Sequence, residues 1–155
     1  MFRIALGCVV GMLSAAPVFA QAAPAAAPAQ QAAAPNPFVF PGDGGVILNF
    51  VKADKTADFE MVLGKVKEGL AKSEKPERKQ QAAGWKVFKS ADPAGANVLY
   101  VFIIDPAVKG ADYQVSNIIA EAFPTEANEL LKKYAEAYAQ GMNILNLNVL
   151  QNLGK

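Results

Sequence analysis

The sequence contains no histidine, and its one cysteine, Cys8, lies in an N-terminal segment that we expect to be removed. Without these residues the mature chain cannot form a Ser-His-Asp or Cys-His catalytic group, or a disulfide. The common zinc, copper and haem ligand sets also depend on His or Cys. The sequence therefore carries no catalytic signature, and we predict neither a metal site nor a cofactor.

An excess of charge of one sign is also missing. The chain has 15 basic and 14 acidic residues, and removal of Arg3 with the N-terminal segment leaves 14 of each. A nucleic-acid-binding protein needs a positive surface to displace counterions, so we predict no nucleic-acid partner. The longest basic cluster, residues 75–79, is interrupted by Pro76 and Glu77 and is interpreted as a solvated loop or helix end.

Residues 1–20 have the pattern of a secretory signal peptide. Arg3 precedes an apolar stretch that is short for a bilayer span, and Val18-Phe19-Ala20 places small residues at the expected cleavage site. An uncleaved membrane anchor is the alternative, but Pro17 and the glycines within the stretch weaken it. We therefore expect a periplasmic or secreted bacterial protein, with no membrane span in the mature chain.

Two further segments follow the predicted cleavage site. Residues 21–37 consist of Ala, Pro and Gln with one Asn and no charge, which is typical of a flexible linker without a packed core. Residues 38–155 are enough for one domain with one hydrophobic core.

The domain alternates between strand and helix patterns. Residues 46–52 and 98–104 are nearly continuous apolar runs, whereas 85–90 and 144–150 alternate apolar residues with Lys or Asn. Helical spacing predicts one helical region before Pro76 with a short extension to about Ala83, and another from Tyr113 to about Tyr138 that Pro124 interrupts.

The resulting order, β-α-β-β-α-β, predicts a ferredoxin-like α+β fold: a four-stranded antiparallel sheet with helices on one face. The first and third strands belong in the centre, which fits their apolar character on both faces. The second face would then expose more apolar surface than a soluble monomer usually shows. Because the register is uncertain by one residue, two sets stay open for that face: Leu48, Phe50, Tyr100 and Phe102, or Ile47, Val51, Leu99, Val101 and Ile103.

This element order and strand patterning, over about residues 45–151, resemble the dimeric α/β-barrel superfamily. In that family two ferredoxin-like sheets close a barrel between protomers, and members include cofactor-free monooxygenases and haem-degrading enzymes. The resemblance implies a homodimer through the sheet face. It also implies oxygenase chemistry that uses an Asn on the first strand and a Trp, which here would be Asn49 and Trp85. The histidine of the haem-degrading branch is missing.

Candidate ligand-binding residues are the polar or aromatic side chains on the predicted strands and at a helix start: Asn49, Trp85, Tyr100 and Tyr113. Tyrosine hydroxyls between sheet and helices would be placed where small ligands bind in this architecture. For each residue the competing interpretation is a core side chain whose polar atom is satisfied within the protein.

We therefore expect an exported homodimer that is non-enzymatic or binds a small apolar ligand. Two alternatives stay open. One is a cofactor-independent monooxygenase-like enzyme. The other is a module whose sheet face or edge binds another envelope protein.

Overall fold

The computed structural model describes residues 35–154, so the predicted signal peptide and residues 21–34 of the predicted linker lie outside it. The strands are β1 (Gly44–Lys52), β2 (Trp85–Lys89), β3 (Asn97–Ile104) and β4 (Asn143–Leu147). The helices are α1 (Thr56–Lys72), α2 (Pro76–Gly84), α3 (Val115–Ala122) and α4 (Ala127–Ala137), and a single 3-10 turn, Ala53–Lys55, leads from β1 into α1.

The four strands form one antiparallel sheet in the order β2-β3-β1-β4. This is the ferredoxin-like arrangement, and the predicted fold is confirmed. The two strands that are largely apolar on both faces, β1 and β3, occupy the centre, and the strands that carry lysine or asparagine, β2 and β4, form the edges. All four helices lie on one face, where α1 packs against both α3 and α4.

The strand register corrects both predicted sets for the uncovered face. Asn49 pairs with Tyr100, so odd-numbered residues of β1 share a face with even-numbered residues of β3. The helix-covered face of these strands buries Ile47, Asn49, Val51, Tyr100, Phe102 and Ile104. The open face carries Val46, Leu48, Phe50, Leu99, Val101 and Ile103, together with Phe88 and Leu145 of the edge strands. Each predicted set therefore mixed the two faces, because each assumed the wrong cross-strand pairing.

The core lies between the sheet and the helices and is rich in aromatic rings. Phe59 of α1 is fully buried and stacks on Tyr134 of α4 at 5.4 Å between ring centroids. Near the start of β1, the ring of Phe40 occupies the space that a side chain at position 45 would fill. Only glycine therefore fits at Gly45. This contact fixes the segment before β1 to the sheet.

The C-terminal strand is shorter than expected. The predicted strand 144–150 ends at Leu147, and the chain beyond it leaves the sheet after the backbone N–H of Val149 donates to Asp43 at 3.0 Å. The side chains of Leu150 and Leu153 are 99% and 89% exposed. Among residues 35–154, no helix is both long and apolar enough to cross a membrane.

The prediction that residues 75–79 form a solvated basic cluster is wrong for Arg78. Arg78 is only 6% exposed, and its guanidinium donates to the carbonyl of Asp112 at 2.7 Å and to Gln81 at 2.9 Å. It also pairs with Glu121 at 3.0 Å. The local charge pattern misses this role because the partners come from distant parts of the chain. Arg78 thus ties α2 to the second helical region.

Candidate functional site: a groove between α1 and β2

A groove of about 730 Å³ runs between α1 and the edge strand β2, and it is open to solvent. Most of its wall is apolar and comes from α1, the end of α2, and β2: Leu63, Val66, Leu70, Ala71, Ala82, Trp85 and Val87. The groove lies where the edge strand β2 faces the flank of α1. Along α1 it extends from Glu60 to Ala71, about 16 Å at 1.5 Å per helical residue.

One end of the groove carries a polar cluster. The hydroxyl of Tyr100 donates to Glu60 at 2.5 Å, and the ammonium of Lys89 donates to the same carboxylate oxygen at 2.9 Å. Both hydrogen bonds lower the pKa of Glu60, and the one from Tyr100 has the larger effect. Burial, and then the hydrogen bond to Glu60, raise the pKa of Tyr100. The groove therefore joins a charged end to an apolar wall.

Gly64 lies in the middle of α1 on the groove wall. Glycine inside a helix costs roughly 0.5–1 kcal/mol relative to alanine. Its helical backbone does not need glycine, and a side chain built there would meet no other atom within 4 Å. The physical effect of this residue is therefore to leave the groove wide at its midpoint.

Trp85 forms part of the groove wall and is wedged between Phe102 and Tyr113, with ring centroids 5.7 and 5.5 Å away. Its indole N–H is buried and has no hydrogen-bond partner in the described part of the chain. Trp85 thus contributes an apolar surface to the groove, held in place by its aromatic neighbours. It is also the only tryptophan in the sequence, so its fluorescence reports on this groove.

Asn49 lies outside the groove and is fully buried. Its amide group donates to the carbonyls of Ile47 and Tyr100, each at 3.2 Å, and its carbonyl oxygen accepts from the hydroxyl of Tyr138 at 2.8 Å. That hydroxyl lies 2.6 Å from the hydroxyl of Tyr134. Burial raises the pKa of Tyr134 to about 12, and burial also raises the pKa of Tyr138. Both tyrosines are therefore protonated at neutral pH and act as hydrogen-bonding groups.

Tyr113 is also fully buried and does not line the groove. Its hydroxyl accepts from the backbone N–H of Val108 at 3.0 Å, and its ring packs against Phe40. Of the four residues proposed from the sequence, the structure brings Trp85 and Tyr100 to one groove and places Asn49 and Tyr113 elsewhere in the core.

The sequence did not single out Glu60, Lys89, Gly64 or Lys67 as groove residues. In the sequence, Glu60 and Lys67 are ordinary polar positions of an amphipathic helix, and Lys89 is one of two lysines on an edge strand. Gly64 was the one local signal, since it interrupts a good helical pattern without ending it. Among residues 35–154, no three His, Cys, Asp or Glu side chains are arranged to hold a metal ion.

Comparison with known proteins yields little. No protein-family model and no curated protein matches the chain. Among solved structures, a mutant of SnoaB, a cofactor-independent oxygenase from Streptomyces nogalater, is similar with a TM-score of 0.39 and 12% identity. The match covers 74% of this chain and 100% of that chain. A similarity this low carries no functional argument, and the ferredoxin-like assignment follows from the strand order itself.

Proposed function

We propose that this chain is an exported, homodimeric binding protein that holds a small, mostly apolar ligand in the groove between α1 and β2. The observation that carries the proposal is the groove itself. Its volume falls within the range of ligand sites, about 300–1,000 Å³, and such sites combine an apolar wall with a few placed polar groups. Here Trp85 and the neighbouring aliphatic residues supply the wall, and Tyr100 with Glu60 and Lys89 supply the polar groups.

The open face of the sheet supports the homodimer. On this face β1 is apolar from Val46 to Phe50 and β3 from Leu99 to Ile103, with Lys52 and Asn97 at one end, and Phe88 and Leu145 at the edges are 50% and 49% exposed. Contiguous apolar surface on a soluble protein marks an interaction site. Each Å² of it that is covered by a second copy stabilises the pair by about 25 cal/mol before the costs of association. The same face would serve the alternative of a module that binds another envelope protein.

The oxygenase alternative receives no support from Asn49. All the polar atoms of its side chain bond within the protein, and none of its surface is exposed. An enzyme built on this domain would have to work from Trp85 and Tyr100 in the groove. The binding interpretation needs only the shape and the polarity of the groove.

Export is proposed from residues 1–20 alone. We expect the mature protein recovered from the periplasm of an expressing bacterium to begin at about Gln21, as read by intact-mass measurement. Recovery of the full-length chain in the membrane fraction would replace export with anchoring.

The binding proposal can be tested with a neutral apolar dye such as N-phenylnaphthylamine, using energy transfer from Trp85. We expect saturable binding to the mature protein at one site per chain. Gly64→Phe should abolish it by filling the groove, and the helix should tolerate the change because glycine is the poorer helix former. Met61→Phe, on the same helix but outside the groove, is the matched control and should bind normally. Binding that is absent, or unchanged in Gly64→Phe, would overturn the proposal.

A further inference from the structure

We infer that the ligand of this groove is an elongated apolar molecule that carries one anionic group, which the ammonium of Lys67 binds. The inference rests on the proposed function and adds the charge of the ligand to it.

The charges that line the groove do not balance. The charged residues that line it are two lysines, Lys67 and Lys89, and one glutamate, Glu60. Glu60 is already used by Lys89, at 2.9 Å. Within residues 35–154, no carboxylate lies within 4.0 Å of the Lys67 ammonium. The groove therefore presents one positive charge without a partner.

The neighbouring lysine on the same helix is a useful contrast. Lys65 points away from the groove and pairs with Glu126 at 3.2 Å and Glu68 at 3.9 Å. It also lies over the ring of Phe123, 4.5 Å from the centroid. Lys65 is therefore committed to contacts within the protein, whereas Lys67 faces the groove without a carboxylate.

The shape of the groove indicates an extended ligand. The apolar residues of α1 that line it, Leu63, Val66 and Leu70, follow one another along the helix, and Val87 and Trp85 of β2 face them. The passage of about 16 Å matches an extended chain of about ten to twelve carbon atoms with bonds of about 1.5 Å. Lys67 lies seven residues along α1 from Glu60, about 10 Å from the polar end, and its exposed, flexible side chain can meet a negative group that keeps part of its hydration.

The test compares three probes with the same chain and different head charges: dodecanoate, dodecanol and dodecyltrimethylammonium, each below its micelle-forming concentration. Binding is followed through displacement of the neutral dye and through Trp85 fluorescence. We expect dodecanoate to bind about two- to fivefold more tightly than dodecanol, the range of a partly exposed ion pair, and the cation to bind most weakly. The preference should shrink as salt is added.

The variants assign the charge effect to one residue. Lys67→Gln should bring the affinities for dodecanoate and dodecanol together, and Lys67→Glu should make the cation the preferred probe. Lys65→Gln, on the same helix but outside the groove, should leave the preference unchanged.

The outcomes separate this inference from the proposed function. If all three probes bind equally, or the cation binds best to the wild type, the inference is wrong and the binding groove stands. An anion preference that survives Lys67→Gln also overturns it. If none of the probes binds, or if binding persists in Gly64→Phe, the proposed groove function fails as well.

Discussion

The hydroxyl of Tyr138 lies 2.8 Å from the side-chain carbonyl oxygen of Asn49, so the residue that follows α4 is bonded to the centre of β1. This contact explains how the helix-covered face of a central strand accommodates an amide. Each tyrosine hydroxyl has one proton. Tyr138 therefore donates to Asn49 and accepts from Tyr134, and each polar atom of the buried amide has a hydrogen-bond partner.

Removal of the Tyr138 hydroxyl should destabilise the domain. We expect Tyr138→Phe to lower the free energy of unfolding by about 1–3 kcal/mol, because the carbonyl oxygen of Asn49 would stay buried without a donor. Tyr134→Phe removes only the outer hydroxyl and should cost about 1 kcal/mol or less. Urea denaturation of the two variants measures the difference. Equal losses would mean that the Asn49 contact contributes nothing beyond packing.

Replacement of Gly64 in α1 should instead stabilise the domain. Gly64→Ala should raise the free energy of unfolding by about 0.5–1 kcal/mol, since the site has helical backbone geometry and open space around it. Gly110→Ala is the control and should destabilise the domain, because Gly110 has a φ of 75°, which L side chains rarely adopt. A loss of stability in Gly64→Ala would show that the glycine is needed for the fold itself.

The two faces of β3 should respond differently to a charge. Val101 is on the open face and Phe102 on the helix-covered face. We expect Val101→Lys to give a folded monomer, seen by sedimentation velocity beside a dimeric wild type, whereas Phe102→Lys should unfold the domain because an unpaired charge in the core is very costly. A wild type that stays monomeric at micromolar concentration, with no bound ligand or lipid, would contradict the proposed dimer.

The polar end of the groove should be sensitive to acid. The pKa of Glu60 is lowered from 4.5 by the hydrogen bonds from Tyr100 and Lys89. A lowered pKa contributes stability that is present above pH 4.5 and is lost as the pH falls through the lowered value. The pKa of Lys89 is raised from 10.5 by its hydrogen bond to Glu60, so its contribution persists below pH 10.5.

Glu60→Gln provides the measurement. The wild type should be more stable than this variant between pH 5 and 9, and the difference should be small because Glu60 is half exposed. This difference in stability should become smaller as the pH falls below 4.5, because the wild-type carboxylate then takes up a proton. A difference that is constant from pH 2 to pH 7 would contradict the assigned pKa direction.

The sequence alone determined the fold class and the placement of the strands. β1 and β3 are largely apolar, and a central strand is covered more fully by its neighbours than an edge strand is, while the lysines of β2 and the asparagines of β4 are typical of an edge. The sequence also has no His and a single Cys, Cys8, which is why reactions that need imidazole or thiolate groups were not predicted. These conclusions depend on composition and periodicity, which are local properties of the chain.

The tertiary structure alone decided which residues share a face and which form the groove. Asn49 pairs with Tyr100 across 51 residues of sequence, and that register, which periodicity of two cannot specify, sets the open face. Glu60 and Lys89 meet across 29 residues, and Asn49 meets Tyr138 across 89. A single amphipathic helix gives the same pattern whether its flank lies beside a strand or beside solvent. The groove therefore depends on how α1 packs beside β2, which the pattern of either element does not specify.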